Sequence, residues 1–145
     1  MNIAVVDVAA SEGGALSVLD EFCNVLRRMS EQQNQWYIFT STVNIDENEF
    51  IHNLKYPEVK KNWINRIKWE RYHLPKLLKK LKIDVVLSLQ NNAFIKGNYI
   101  QIVYFHNLLM LQKFGSFVDF KFYNINLAIR ANILGPYIRH SWKYA

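Results

Sequence analysis

Two adjoining stretches decide the fold: Ile3-Ala4-Val5-Val6-Asp7-Val8 and, after a short loop, Gly13-Gly14-Ala15. The first is an apolar run led by branched side chains. It lacks the alternation of a half-exposed strand, so it reads as a strand buried on both faces, hence a parallel one. Ser11, Gly13 and Gly14 break the chain after it. Ala15, Val18, Leu19, Phe22, Leu26 and Met29 then recur at helical spacing. Asp20 and Glu21 lie toward the start of that helix and Arg27 and Arg28 at its end, as the helix dipole favours. The unit is strand, loop, helix.

Working outward, Trp36-Tyr37-Ile38-Phe39-Thr40 reads as a second strand. Residues 42–58 are polar, acidic and irregular, with a short strand near Leu54-Lys55-Tyr56. The pattern from Trp63 to Lys82 is helical, with an interruption expected at Pro75. Residues 84–89 and 100–105 are further buried strands. Residues 117–134 look helical and aromatic-rich, Gly135-Pro136 breaks them, and a final helix runs to the end. Strands alternating with helices predict an α/β fold: a Rossmann-like three-layer sandwich with a mostly parallel, doubly wound sheet, formed by residues 1–145 as one domain.

Composition removes several classes. With 145 residues and 50% hydrophobic side chains the chain can build a core, and it is far too apolar for a disordered segment. The single cysteine, Cys23, excludes a disulfide scaffold and a thiolate zinc cluster, and fits a reducing compartment. Cys23 lies on the apolar face of the first helix and reads as a core residue. The apolar runs are too short to span a bilayer. The start of the chain has no basic region and Asp7 interrupts its apolar stretch, unlike a signal peptide. No pair of histidines or carboxylates has metal-ligand spacing, so no metal is expected.

The net charge of +6 is concentrated. Residues 1–58 carry 3 basic and 9 acidic side chains, whereas residues 59–82 carry 9 basic and 1 acidic. Such a segment suits an anionic partner. Within it, Lys60, Lys61, Trp63, Arg66, Lys68, Trp69 and Arg71 mix basic and aromatic side chains, as at the surface of an anionic membrane. The alternative is a helix pair that turns its leucines inward and solvates its lysines, which fits residues 76–82. No nucleic-acid motif accompanies the charge, so nucleic acid is not expected.

In a parallel sheet, ligands bind outside the carboxyl ends of the strands. Ser11 to Gly14 follow the first strand, Thr40 to Thr42 the second, Gln90 to Asn92 the strand at 84–89, and His106 with Asn107 the strand at 100–105. Gly13-Gly14 opens a helix, where free amides attract an anion and the backbone can approach a ligand; the alternative is a plain tight turn. It is neither a phosphate-binding loop nor a dinucleotide fingerprint. His106 can hydrogen-bond a ligand hydroxyl or handle a proton, or be a satisfied loop histidine.

Three stretches together are similar to another group of proteins. Ile3–Val8 with Gly13-Gly14-Ala15 and the helix after it, Arg71-Tyr72-His73-Leu74-Pro75-Lys76-Leu77-Leu78 leading to Asp84–Ser88, and Gln101–Asn107 resemble the amino-terminal domain of GT-B glycosyltransferases of family 4. The likeness spans the chain through short, degenerate motifs. It implies a nucleotide-sugar as donor substrate, no other cofactor, and an acceptor glycan or glycolipid in cell-surface polysaccharide assembly. By position it makes Gly13 and Gly14 the glycine loop facing donor and acceptor. Asn91 joins them on the binding rim, and His106 contacts the donor sugar. Asn107 stands where the family often has Asp, which removes a charge. The family's basic, aromatic helix corresponds to residues 60–72, implying a cytoplasmic, membrane-peripheral location. The family's second domain, with its Glu-x7-Glu motif, is not found in this sequence. The last residues, Ser141 to Ala145, stop inside a helical pattern. The expectation is therefore an acceptor-side half that needs a carboxyl-terminal domain or partner subunit. A non-catalytic membrane-docking or partner-binding subunit is the alternative.

Overall fold

A computed structural model of the chain describes residues 1–29, 33–94, 97–106 and 135–145. The strands are β1 (Asn2–Val6), β2 (Gln35–Thr40), β3 (Ile51–Lys55), β4 (Val85–Ser88) and β5 (Ile100–Val103). They form a single sheet in the order β3-β2-β1-β4-β5, and every pairing is parallel. The fold is the expected Rossmann-like α/β arrangement. The chain first winds from β1 toward β2 and β3, then crosses to β4 on the other side of β1. The strand order thus reverses between β1 and β4, and a crevice opens at their carboxyl ends.

Helix α1 (Gly13–Arg28) covers one face of the sheet. Its Leu19, Cys23 and Leu26 pack with Val5, Ile38 and Ile51. Burial pushes the Cys23 thiol up to about 11, so it is an inert core group. The opposite face carries a 3-10 turn (Pro57–Lys60), α2 (Trp63–Lys68), a π-helical turn (Trp69–His73) and α3 (Leu74–Lys80). Here Val59, Trp69, Leu74 and Leu78 pack with Ala4, Val6, Phe39 and Val86. The alternate residues of β1 therefore serve two cores, which is why its sequence shows no polar face. The last described elements are α4 (Gly135–Ser141) and a 3-10 turn (Trp142–Tyr144).

Three local outcomes differ from the sequence reading. The strand at 100–105, read as buried, is the other edge of the sheet: with no strand beyond it among the described residues, Ile100 is 67% and Ile102 52% exposed. Strand β3 starts at Ile51 and ends at Lys55, earlier than the stretch expected around Leu54-Lys55-Tyr56. It joins β2 in parallel through residues 41–50, which form no helix; Ile45 and Val43 of this connection pack beside α1 in the place of a crossover helix. The helical run is not broken at Pro75 either. Asn62 caps α2 by accepting a bond from the Asn65 N–H at 2.8 Å. The run then widens into the π-helical turn just before Pro75, and α3 continues through it. Proline has no N–H to donate and its ring crowds the preceding turn, so a wider turn accommodates it. The helix expected over 117–134 lies outside the described residues.

Candidate functional site at the carboxyl edge of the sheet

Because every strand is parallel, the segments after β1, β2, β4 and β5 share one edge of the sheet. Ladder bonds carry these segments beyond the strands: Asp7 N–H donates to the Phe39 carbonyl at 3.0 Å, Leu89 N–H to Val6 at 3.1 Å, and Tyr104 N–H to Ser88 at 2.8 Å.

Gly13 begins α1 with a φ of +65°, the left-handed region that glycine tolerates best. A side chain at Gly13 or Gly14 would meet nothing within 4 Å, so only Gly13 has a backbone reason to be glycine. The cap residue of α1, Glu12, makes no side-chain cap bond, and the first turn holds no acidic residue. The helix therefore opens toward the edge with amides that no cap side chain occupies, a favourable environment for negative charge.

On the other side of β4, Asn91 and His106 come together. The Asn91 side-chain oxygen accepts the His106 N–H at 2.8 Å, and its nitrogen lies 3.5 Å from His106 Nε2. Asn91 also adopts a positive φ, 66°, and its carbonyl accepts the Trp142 indole N–H at 2.8 Å. It thus ties the ends of β4 and β5 to the carboxyl-terminal turn. The imidazole of His106 is exposed and stacks on Tyr104 at a centroid distance of 5.7 Å. Asn107 lies outside the described residues.

The basic segment divides. Lys60, Lys61, Trp63, Lys68 and Arg71 are exposed, and Ile64 and Tyr72 join them. Trp69 does not: it is 3% exposed, and its ring meets Phe39 and Tyr56 in the core. The expectation that Trp69 belongs to a membrane-facing surface is therefore corrected. The α2 to α3 run turns Trp69 onto the sheet while Tyr72 stays 64% exposed. Arg66 is also drawn inward, where it meets a group that the sequence reading passed over.

That group is Glu70, the single acid in the basic segment, 1% exposed within the π-helical turn. Its Oε1 accepts from Arg66 Nε at 2.9 Å and from Gln90 Nε2 at 2.7 Å. Its Oε2 accepts from Tyr137 OH at 3.1 Å and from Asn92 Nδ2 at 3.3 Å. Four donors from α2, the end of β4 and α4 thus meet one carboxylate. Burial, followed by the charge and hydrogen bond of Glu70, pushes the Tyr137 phenol above its usual range. The Arg66–Glu70 spacing of four residues was the one signal of this pair in the sequence.

Asp7, at the end of β1, is the second overlooked acid. It is 1% exposed; one oxygen accepts the Ala10 N–H at 3.2 Å and the other has no hydrogen-bond partner among the described residues. Burial raises its carboxyl to about 6; the Ala10 bond and the charges of Arg66 and Lys60 pull against that rise. Ser41 Oγ, Ser88 Oγ and Gln90 Oε1, at the ends of β2 and β4, are likewise buried without a partner. Buried polar groups are nearly always satisfied; among the described residues four of the unsatisfied atoms gather at the ends of three neighbouring strands, and the remaining one is the Trp69 indole nitrogen.

No family model, curated protein or solved structure matches the chain. Among the described residues no helix is long and apolar enough to cross a membrane.

Proposed function

We propose that this chain is the acceptor-side domain of a glycosyltransferase, moving a sugar from a nucleotide-sugar to an acceptor glycan or glycolipid at a membrane surface. One observation carries the reading. The amides at Gly13 and Gly14, which receive no bond from the Glu12 cap side chain, and the exposed imidazole of His106, fixed to Asn91, lie on the same edge, on either side of the β1/β4 crevice. The sequence resemblance gives the same positions.

The chemistry follows from the groups. Sugar transfer separates charge: a diphosphate departs as the acceptor hydroxyl attacks. Helix amides and the dipole of α1 stabilise negative charge that develops near them. A histidine whose backbone N–H and ring Nε2 both meet Asn91 presents an exposed imidazole whose other ring nitrogen can bond a sugar hydroxyl. A second domain or a partner subunit supplies the remainder of the donor site. The exposed face with Lys60, Lys61, Trp63, Lys68, Arg71 and Tyr72 suits an anionic leaflet on the cytoplasmic side.

In the intact enzyme, His106→Ala is expected to lower turnover about 100-fold while leaving the unfolding midpoint nearly unchanged. Unchanged turnover would remove its role. The same exposed basic and aromatic face supports a second reading, a docking module without catalysis. Vesicle binding with no response of the edge residues to any nucleotide-sugar would favour that one.

A further inference from the structure

We propose that Lys60 and Arg66 form a phosphate-ester subsite above Asp7, at the carboxyl ends of β2, β1 and β4. This goes beyond sugar transfer and does not depend on His106 or on the glycine loop. Arg66 belongs to α2 and sits at the β4 end: its Nε donates to Glu70 and its Nη2 to Asn92 Oδ1 at 3.4 Å. Both partners are buried, so the planar guanidinium is held in one orientation, and among the described residues its Nη1 meets no hydrogen-bond acceptor. Such a fork with free donors suits the oxygens of a phosphate.

Lys60 reaches the edge from the other side. Its ammonium lies 3.4 Å from Thr42 Oγ1, just beyond the end of β2. Strands β2 and β4 flank β1, so their ends are two strand spacings apart, about 10 Å. The two cations therefore approach the end of β1 from opposite sides, and both act on the Asp7 carboxyl. Ser41 Oγ, at the end of β2, is a buried hydroxyl still without a partner.

The charges set a pH dependence. The charged groups acting on Asp7 are Arg66 from α2 and Lys60 from the preceding turn; its own loop contributes the Ala10 N–H. Glu70 already compensates Arg66. With Asp7 ionised the four charges cancel. With Asp7 protonated, as pH falls through about 6, one positive charge is left over for an anion. An anion of constant charge such as sulfate is therefore held more tightly below pH 6, whereas a phosphate ester takes up its own second proton over the same range.

The test titrates the protein with glycerol 3-phosphate at pH 7.5, and with sulfate, whose charge is constant, from pH 5.0 to 8.0. Amide chemical shifts serve as the readout. A parallel arm measures binding to phosphatidylcholine vesicles with and without phosphatidic acid. Lys60→Gln and Arg66→Lys, the latter keeping the charge but losing the fork, are each expected to weaken binding about tenfold. Lys79→Gln/Lys80→Gln, two exposed charges on α3, is expected to change it less than twofold. Asp7→Asn is expected to tighten sulfate binding about fivefold at pH 7.5 and to flatten its pH profile. Circular dichroism checks that each variant is folded, and Lys60→Gln, at an exposed site, keeps the test decisive if Arg66→Lys is not. Binding of the soluble ester with this pattern supports a free phosphate ester as ligand. Binding only to phosphatidic acid vesicles, with the same dependence on Lys60 and Arg66, supports a lipid phosphate. No binding in either arm, or equal losses in the Lys79/Lys80 variant, overturns the proposal.

Discussion

Replacing Asp7 by Asn should stabilise the protein at neutral pH and leave it unchanged in acid. Asp7 is buried at the end of β1, and its carboxyl moves from the ordinary 3.8 to about 6 in the folded protein. The unfolded chain releases the proton near 3.8, whereas the folded chain keeps it until about 6. Between those values the native state binds more protons, so stability falls as pH rises. At about 1.4 kcal/mol per pH unit, the ionised buried carboxylate costs the fold about 3 kcal/mol above pH 7. Asparagine keeps an acceptor for the Ala10 N–H and carries no charge to bury. The gap in stability between Asp7→Asn and the original protein should therefore be near zero at about pH 3 and grow to about 3 kcal/mol by about pH 8. Urea unfolding of both proteins at five pH values measures that gap directly, because titrations shared by the two proteins cancel. A gap that does not change with pH would refute the assignment of a proton to Asp7 below pH 6.

Three further outcomes follow from the packing. Gly13→Ala should destabilise by about 1–2 kcal/mol because a Cβ disfavours φ of +65°, whereas Gly14→Ala, inside the first turn, should be neutral or slightly stabilising; thermal melts separate the two. Trp69→Ala should cost about 3–5 kcal/mol and Trp63→Ala less than about 0.5, in urea titrations, with only the latter weakening binding to anionic vesicles in a folded protein. Glu70→Ala leaves Arg66, Gln90, Asn92 and Tyr137 without their shared acceptor and should cost about 3–5 kcal/mol, again by urea unfolding.

The strands were legible where burial on both faces produced unbroken apolar runs, as in Ile3–Val6 and Val85–Leu87. β3 was harder to place because Ile51-His52-Asn53-Leu54-Lys55 is an edge strand whose exposed positions take polar side chains. Its connection to β2 uses Ile45 rather than a helix, so no periodicity announced it. Trp69 misled for a related reason: residue types between Lys60 and Tyr72 show a basic and aromatic mixture, but not which ring turns inward. That depends on packing against Phe39 of β2 and Tyr56 just after β3, which the local sequence does not show.

That the polar segments after the strands gather on one edge of the sheet was legible in the sequence, because the apolar runs predicted parallel strands. His106 and Asn91 were named separately, and the structure joins them. Asp7 and Glu70 were not singled out as site residues. Asp7 interrupts an apolar run, and Glu70 is a single acid among nine basic residues. Their burial arises from the meeting of β1, β4, α2 and α4, which no single stretch of sequence encodes.

The central claim is that a nucleotide-sugar meets this domain at the carboxyl edge of the sheet. The most direct measurement is an amide chemical-shift titration with UDP-, GDP- and ADP-linked sugars. The account predicts that one of them moves Gly13, Gly14, Asn91 and His106 together, with a common saturation curve. Shifts confined to other faces of the domain, or none with any of these donors, would contradict it.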